Sequence, residues 1–333
     1  MSTIYEVSKL AGVSLATVSR VINNNSKVSD KTRQKVQEAM VELGYRPNSI
    51  AQSLALSTSN SVGILVSELS GAFFGQMMAG IEAKLRAAGK HVIITTGHSV
   101  EDKEKEGIEF LISRNCDAII LHVEAVTDDY LIDLSKGKTP IYLLSRWVEE
   151  LSDNCISLDN ELGGYLATQA VIEHGHVNIA YIGGPQFKPD AIDRLAGHQR
   201  ALATNKIPFN AALYYEGDYQ DTAGREGLKN LLTKNIPFTA LVCANDEMAS
   251  GAMTYARELA LALPQQLSII GFDNVIFAQH IYPKLSTIDN PILAMGHMAA
   301  KLILRDIYQI KCPLIKHFFK PKLITRDSIA NIG

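Results

Sequence analysis

From residue 62 onwards, short apolar runs alternate with longer amphipathic stretches, and this alternation constrains the fold more than any other feature of the chain. Strands that are apolar throughout and are separated by helices predict βαβ units, in parallel sheets covered on both faces. The predicted strands are Val62–Ser67, His91–Thr95, Ala118–Val123, Ile141–Ser145, Cys155–Leu158, Ile179–Gly183, Ala240–Ala244 and Ser268–Gly271. The predicted helices are Phe73–Ala88, Glu101–Ser113, Leu162–His174, Ile192–Thr204, Ala223–Leu232 and Asp246–Leu259. Because roughly 270 residues exceed one doubly wound sheet, the sequence predicts two similar lobes.

The first sixty residues have a helical pattern instead. Apolar side chains recur at helical spacing on either side of Gly12, as Ile4, Val7, Leu10 and Ala11 and then Leu15, Val18, Val21 and Ile22. Ser14 is placed to cap the second helix, and Ser29 to cap a third that ends before Gly44 and Pro47. Two short helices around a glycine turn predict an all-α helix-turn-helix module.

The charge is divided in the same way as the pattern. The 333-residue chain has a net charge of −3, but residues 1–60 hold seven basic and four acidic side chains. That segment is therefore +3 and the remainder −6. A small basic module on a larger acidic body is typical of a nucleic-acid reader joined to a domain with another task.

Between the two parts lies a short helical candidate, Asn48 to Leu56, followed by a polar stretch at 57–61. Nine residues are too few for a stable isolated helix, since about 12–15 are marginal even in good sequences. We therefore expect a linker that becomes helical only when another structure holds it.

Several function classes lack their sequence signals. The start MSTIYEVSKL has no basic region followed by an apolar one, and no run of 18 apolar residues occurs, so we expect a cytoplasmic protein with no membrane partner. The four scattered cysteines are expected to be buried thiols. The motifs GxGxxG, GxxxxGK[ST], GxSxG and HExxH are missing, so catalytic residues, cofactor and metal are all predicted as none. The pair Gly183-Gly184 is expected to be a tight βα connection.

Three groups of residues carry a family pattern. The first is Val7-x-x-Leu10-Ala11-Gly12-Val13-Ser14-x-x-Thr17-Val18-Ser19-Arg20-Val21-Ile22-Asn23, continued by Val28-Ser29-x-x-Thr32-Arg33 and Leu43-Gly44-Tyr45-x-Pro47-Asn48. The second is Arg194-Leu195-Ala196-Gly197. The third combines Ala244-Asn245-Asp246-x-Met248-Ala249 with Ile270-Gly271-Phe272-Asp273. These motifs extend over nearly the whole chain, and through them the chain resembles the LacI/GalR family of transcriptional regulators. The resemblance is to the sugar-responsive branch of that family.

The resemblance implies a helix-turn-helix headpiece at 1–46, a hinge helix and linker at 47–60, and an effector-binding and dimerisation domain at 61–333. That domain would have the two-lobed α/β fold of periplasmic binding proteins, with doubly wound parallel sheets. The chain would cross between lobes three times, giving one lobe of about 61–157 plus 288–318 and another of about 158–287 plus 319–333. A homodimer is implied, with a tetramer as the alternative.

The resemblance also implies the DNA contacts. The first residues of a recognition helix lie against base edges in the major groove, and here these are Leu15 and Ala16. Neither side chain donates a hydrogen bond, so both can read only shape and thymine methyls. Phosphate contacts and a polar base contact would come from the more polar residues of the helix, which are Thr17, Ser19, Arg20 and Asn23. The alternative is that Leu15 packs in the headpiece core and Arg20 is a solvated charge.

Leu54 matches the hinge leucine of the family, which would insert into the minor groove at the operator centre and kink the DNA. Two hinge helices, one from each subunit, would pack together there and become helical on binding. The alternative is an ordinary leucine of an amphipathic linker.

In the effector domain, the matching polar residues of the second lobe are Arg194, Asn245 and Asp273, and Tyr219 takes the place of an aromatic platform under a sugar ring. In the first lobe, Ser145-Arg146 stands where many sugar-responsive members carry Asn-Arg or Asp, which leaves the sugar undefined. Phe73 and Phe74 match aromatic residues near the cleft mouth. Each residue has a structural alternative: a surface ion pair, a helix cap or a core position.

The predicted function is a repressor that releases a palindromic operator in double-stranded DNA when a mono- or disaccharide binds between the lobes. One alternative is a corepressor-dependent repressor of the purine type on the same fold. From other classes, a cytoplasmic sugar-binding protein or an enzyme is the alternative.

Overall fold

The computed structural model describes residues 2–23, 27–46 and 58–333. The chain divides into two compact units, Met1–Ser59 and Asn60–Gly333. The predicted hinge helix, Asn48 to Leu56, and its Leu54 lie outside the described residues.

The described part of the first unit has three helices, α1 (Ile4–Ala11), α2 (Leu15–Ile22) and α3 (Asp30–Glu42). Gly12 ends α1 in the left-handed region, at φ 64°, so the chain can turn sharply into α2. Ser14 caps α2 as predicted, because its hydroxyl accepts a hydrogen bond from the Thr17 N–H at 3.2 Å. Ser29 caps α3 in the same way. The helix-turn-helix prediction is therefore confirmed.

A small core joins these three helices through one face of each. Its buried members are Val7, Val18, Val21, Val36 and Ala39. Val7, Val18 and Val21 belong to the apolar stripes predicted for the first two helices, so the helical period identified that part of the core.

The second unit contains two six-stranded sheets. The first has the order β11-β5-β4-β3-β1-β2 and is parallel throughout. Its strands are β1 (Ser61–Val66), β2 (His91–Thr96), β3 (Ala118–Leu121), β4 (Ile141–Leu144), β5 (Cys155–Leu158) and β11 (Phe318–Phe319). Its helices are α4 (Ala72–Ala87), α5 (Glu101–Ser113), α6 (Asp128–Ser135) and α11 (Ile292–Asp306).

The second sheet has the order β12-β10-β9-β8-β6-β7 and is parallel except for its edge strand β12. Its strands are β6 (Ile179–Gly183), β7 (Tyr214–Glu216), β8 (Ala240–Cys243), β9 (Ser268–Asp273), β10 (Ser286–Asp289) and β12 (Lys322–Ile324). Its helices are α7 (Asn160–Glu173), α8 (Pro189–Thr204), α9 (Asp221–Thr233) and α10 (Asp246–Glu258). The predicted fold class, two α/β lobes with parallel sheets, is confirmed.

The chain passes from one sheet to the other three times, after β5, after β10 and after β11. Because α11 packs against α4, the chain returns to the first lobe between β10 and β11. The expected boundary at 287 falls inside β10, so the second passage lies at 290–291. These passages form the connection between the lobes.

Burial on both sheet faces explains why the strands are apolar throughout. On β1, Val62, Ile64 and Val66 pack with the α4 side of the sheet, whereas Leu65 packs with α5 on the other side. Successive side chains of a strand point to opposite faces, so a sheet covered on both faces has no solvent-facing position.

Four strands and two helices were not predicted from the sequence. The strands are β7, β10, β11 and β12, which are only two to four residues long. The helices are α6, which has only eight residues, and α11. Three cysteines are buried as expected, and Cys312 is half-buried. Among the described helices, none is both long and apolar enough to cross a bilayer.

Candidate functional site

A cleft of about 530 Å³ lies in the second unit, between the two sheets. Its walls follow the carboxyl ends of strands from both lobes: Ser67 after β1, His122 after β3 and Ser145 after β4, facing Asn245 after β8 and Asn290 after β10. Ligands of open α/β sheets bind at the carboxyl ends of strands, and this volume suits a small molecule.

All eight residues predicted for the effector site line this one cleft. They are Phe73, Phe74, Ser145, Arg146, Arg194, Tyr219, Asn245 and Asp273. The structure thus brings together residues that are up to 200 positions apart in the sequence.

Arg194 forms the floor of the second-lobe half. Its guanidinium donates from Nε to Asn160 Oδ1 at 3.0 Å and from Nη1 to the Ala244 carbonyl at 2.6 Å. It also lies 3.8 Å from the centre of the Phe272 ring. A guanidinium held on three sides cannot swing away, so its remaining donors point in a defined direction.

Asp273 lies beside Arg194, with Oδ1 3.6 Å from Nη2. Burial raises the pKa of Asp273, against the effects of Arg194 and a 3.0 Å hydrogen bond from Asn290 Nδ2. The backbone of Asp273 is in the left-handed region, at φ 101°. Strained backbone of this kind is concentrated at ligand sites, where the surrounding structure maintains it.

Two polar atoms of the cleft are buried and have no hydrogen-bond partner among the described residues: Ser145 Oγ and Asn290 Oδ1. Buried polar groups are normally paired because an unpaired one is costly. Ser145 also has a left-handed backbone, at φ 65°. These two atoms are therefore suited to contact the polar groups of a ligand.

Asn245 has the structural role that the sequence left as an alternative. Its Oδ1 caps α10 by accepting from the Met248 N–H at 2.9 Å, and its Nδ2 donates to the Tyr219 carbonyl at 2.8 Å. Both ends of the amide are thus used within the protein. Asn245 lines the cleft and also connects α10 to the loop that carries Tyr219.

Tyr219 has a left-handed backbone, at φ 72°, and its hydroxyl donates to Asp190 Oδ2 at 2.7 Å. Its ring lies so close to Gly184 that a Cβ there would be 2.3 Å from Cζ. Gly184 therefore does more than make a tight βα connection, because its missing side chain leaves room for the Tyr219 ring.

Arg146 is also engaged within the protein. It donates from Nη2 to Asp128 Oδ1 at 2.6 Å and from Nη1 to the Val123 carbonyl at 3.4 Å. In the same lobe, Phe73 and Phe74 meet edge to face, with ring centres 5.3 Å apart. These two rings give the first-lobe side an apolar wall.

Sequence reasoning missed an ion pair that crosses the cleft. Lys188, just before α8 in the second lobe, places Nζ 2.8 Å from Oε2 of Glu124, which follows β3 in the first lobe. It also missed His122, Asn160, Asp190 and Asn290. Position after the predicted strand Ala118–Val123 was a usable signal for Glu124, since carboxyl ends of parallel strands share one edge. For Asp190, the four-residue spacing before Arg194 was a usable signal.

In the first unit, the predicted DNA contacts lie on the free face of α2. Leu15 is 44% exposed, so it does not pack in the headpiece core. Ala16, Arg20 and Asn23 are exposed, whereas Thr17 and Ser19 are half-buried. The Thr17 hydroxyl is also 2.9 Å from Ser14 Oγ. These side chains form a surface at the start and along one side of the helix, as a major-groove reader requires.

Comparisons with known proteins match both units. Residues 3–48 match the family described as "Bacterial regulatory proteins, lacI family", and residues 168–329 match the "Periplasmic binding protein-like domain". The HTH-type transcriptional regulator GalR of Escherichia coli (strain K12) is 38% identical over 330 residues, which is 99% of this chain and 96% of the relative.

Solved structures match as well. The lac repressor dimer bound to operator and the anti-inducer ONPF is 29% identical with a TM-score of 0.86, covering 99% of both chains. A lacI-family regulator from Enterococcus faecium with bound ribose is 27% identical with a TM-score of 0.72, covering 82% of this chain and 100% of that one. Fold and sequence thus agree over both units.

Proposed function

We propose that this chain, which belongs to the lacI family of bacterial regulatory proteins, releases its operator when a small sugar binds in the interlobe cleft. The family makes it a ligand-responsive, DNA-binding transcriptional repressor.

One observation carries the proposal. Eight residues chosen from the sequence as sugar contacts lie around one cleft, although they come from both lobes and from six separate segments of the chain. Buried Asp, Asn and Arg side chains beside aromatic rings suit a ligand with many hydroxyls and an apolar ring face. Ser145 Oγ and Asn290 Oδ1 add unpaired polar atoms to the same surface.

On DNA, Leu15 and Ala16 read shape and thymine methyls, and Arg20 donates to a guanine. Thr17, Ser19 and Asn23 contact phosphates or a base edge. Because a half-site read by one recognition helix is short, we propose a homodimer on a palindromic operator. Leu54 is proposed as the minor-groove wedge on the basis of its family position alone.

Effector and operator affect each other by linkage. A ligand that contacts both lobes favours one interlobe angle, and it can shift the equilibrium only by its differential affinity for the two states. The operator must weaken ligand binding by the same factor by which the ligand weakens operator binding. A regulator of this kind acts on bacterial DNA, so the proposal places it in the cytoplasm and assigns it no catalysis.

The test begins with an operator selected from random double-stranded DNA by the full-length protein. Fluorescence anisotropy then measures operator affinity against a panel of mono- and disaccharides and purines. We expect one sugar to lower operator affinity and the Asp273→Ala variant to bind operator normally but not respond. A ligand that raises operator affinity would support the purine-type alternative, and a normal response of Asp273→Ala would contradict the cleft assignment.

A further inference from the structure

The cleft has more negative than positive side chains. Among the described residues that line it, the carboxylates are Glu68, Glu124, Asp190, Asp218, Glu247 and Asp273, and the permanent cations are Arg146, Lys188 and Arg194. Each cation has a carboxylate partner: Arg146 has Asp128, Lys188 has Glu124, and Arg194 has Asp190 and Asp273. An anionic ligand would therefore meet no unpaired Lys or Arg among these residues.

Lys188 differs from the two arginines in how it is held. Both guanidiniums also donate to backbone carbonyls of their own lobes, at Val123 and Ala244. The Lys188 ammonium instead meets Glu124 of the opposite lobe and lies 5.4 Å above the Tyr219 ring, with only 11% of its side chain exposed. Lys188 thus lies beside the aromatic platform, and the carboxylate that neutralises it belongs to the other lobe.

Glu124 is built to stay charged and in place. Its Oε2 accepts from Ser67 Oγ at 2.8 Å and also from Ser99 Oγ. The buried Glu104 carboxylate accepts from the backbone N–H of Glu124 at 2.8 Å and fixes the loop. Burial opposes ionisation of Glu124, but the electrostatic effects of His122 and Lys188 and the hydrogen bonds outweigh it, so its pKa falls to about 2.

We propose that Glu124 is a specificity-determining residue: by neutralising Lys188 across the cleft, it makes the site accept an uncharged polyhydroxy ligand and reject the phosphate monoester of that ligand. The inference rests on the proposed function, because it concerns the charge of the effector. A phosphate that approaches Lys188 must either lie beside the like charge of the Glu124 carboxylate or displace that carboxylate from the ammonium. That carboxylate would then remain buried without its cation, in a cleft that already has an excess of carboxylates.

The test compares each sugar with its own phosphate ester on the full-length protein, by thermal shift and titration calorimetry. The pairs are ribose with ribose 5-phosphate, glucose with glucose 6-phosphate and galactose with galactose 1-phosphate. In the wild type, we expect one neutral sugar to bind and its phosphate to bind at least 100-fold more weakly. Equal binding of both members, or binding of the phosphate alone, would overturn the proposal and leave a ligand-responsive regulator.

The Glu124→Gln variant keeps the acceptor for Ser67 and Ser99 but frees Lys188, so it should bind the phosphate ester at least tenfold more tightly than the wild type. Glu124→Gln combined with Lys188→Gln should lose that gain. Glu68→Gln removes a carboxylate of the same cleft, which pairs with His98, without freeing Lys188, so it should give a much smaller gain. An equal gain in Glu68→Gln, or none in Glu124→Gln, would overturn the proposal.

Glu124→Ala serves the same comparison if the Gln variant does not fold, with circular dichroism as the check of folding. Binding of no sugar by the wild type has a different meaning. It would overturn the proposed sugar effector, and the charge rule for that effector with it.

Discussion

The guanidinium of Arg194 lies 3.8 Å from the centre of the Phe272 ring, between the ring and the cleft. Phe272 is buried in β9 and was part of the family pattern, yet nothing in the sequence connected it to Arg194 in α8. A ring under a guanidinium adds a cation–π contact to the two hydrogen bonds that hold it. The position of the Arg194 guanidinium is therefore fixed by ring stacking as well as by hydrogen bonds.

Replacing Arg194 by lysine should keep the charge but lose this geometry, because an ammonium has no planar fork to stack and donate together. We expect Arg194→Lys to weaken effector binding at least tenfold while operator binding in the absence of effector stays within twofold. Calorimetry and anisotropy measure the two affinities. Arg200→Lys is the matched control, since Arg200 lies in the same helix, is half exposed and pairs with Glu161. Equal losses in both variants would contradict a special role for Arg194.

Arg20→Ala should cost about 1–3 kcal/mol of operator affinity and relax sequence choice, as loss of a base-reading arginine does. Lys35→Ala removes the same charge from α3 and should weaken all DNA slightly and uniformly. Titrations of selected operator and random duplex at two salt concentrations measure the difference. If Arg20→Ala weakened operator and random DNA by the same factor, Arg20 would contact phosphate only.

Gly184→Ala should destabilise the second unit by about 1–3 kcal/mol, because the new Cβ would overlap the Tyr219 ring. Movement of that ring would also break its hydrogen bond to Asp190, so effector affinity should fall. Gly75→Ala in α4 is the control: a Cβ there meets nothing within 4 Å, and alanine in a helix stabilises by about 1 kcal/mol. Thermal unfolding measures the stability of both variants. If Gly184→Ala left the stability unchanged, the Tyr219 ring would be able to shift without cost.

Stability should depend on pH through Glu247. Burial, together with the charge of Asp273, raises the pKa of Glu247 from 4.5 to about 7. The folded protein therefore holds this proton more tightly than the unfolded chain, so its contribution is complete below about pH 4.5 and is lost as pH rises to 7. The loss is on the order of 2–3 kcal/mol.

Glu247→Gln should abolish this part of the pH dependence, whereas Glu150→Gln, at an exposed position, should leave it unchanged. Urea unfolding between pH 5 and 7.5 measures both. Parallel curves for wild type and Glu247→Gln would show that Glu247 is ionised throughout.

Much of the fold could be predicted because its rules are local. In β1 the side chains on both faces of the strand are apolar, so both faces must be covered. Ser14 and Ser29 are each placed directly before a helix that they cap. The edge strands β11 and β12 could not be predicted, since two or three residues carry no period. The passage after β10 was expected from the family resemblance, and only the packing of α11 on α4 places it.

The candidate site divides in the same way. Arg194, Asn245 and Asp273 stand in motifs that the sequence displays, but their environments depend on other segments. The Glu124–Lys188 contact joins residues 64 positions apart from opposite lobes, with no motif around either. No periodicity predicts such a pair, because it arises from the angle between two separately folded sheets.

By itself, the sequence determined the two modules, the helix-turn-helix core and the parallel sheets, because each depends on the period of apolar residues along a single segment. Tertiary structure decided which charges meet: Lys188 with Glu124, Arg194 with Phe272 and Asp273, and the Tyr219 ring above Gly184. Electrostatic and packing energies depend on distance in space, and the folding of two lobes onto one cleft sets those distances independently of separation along the chain.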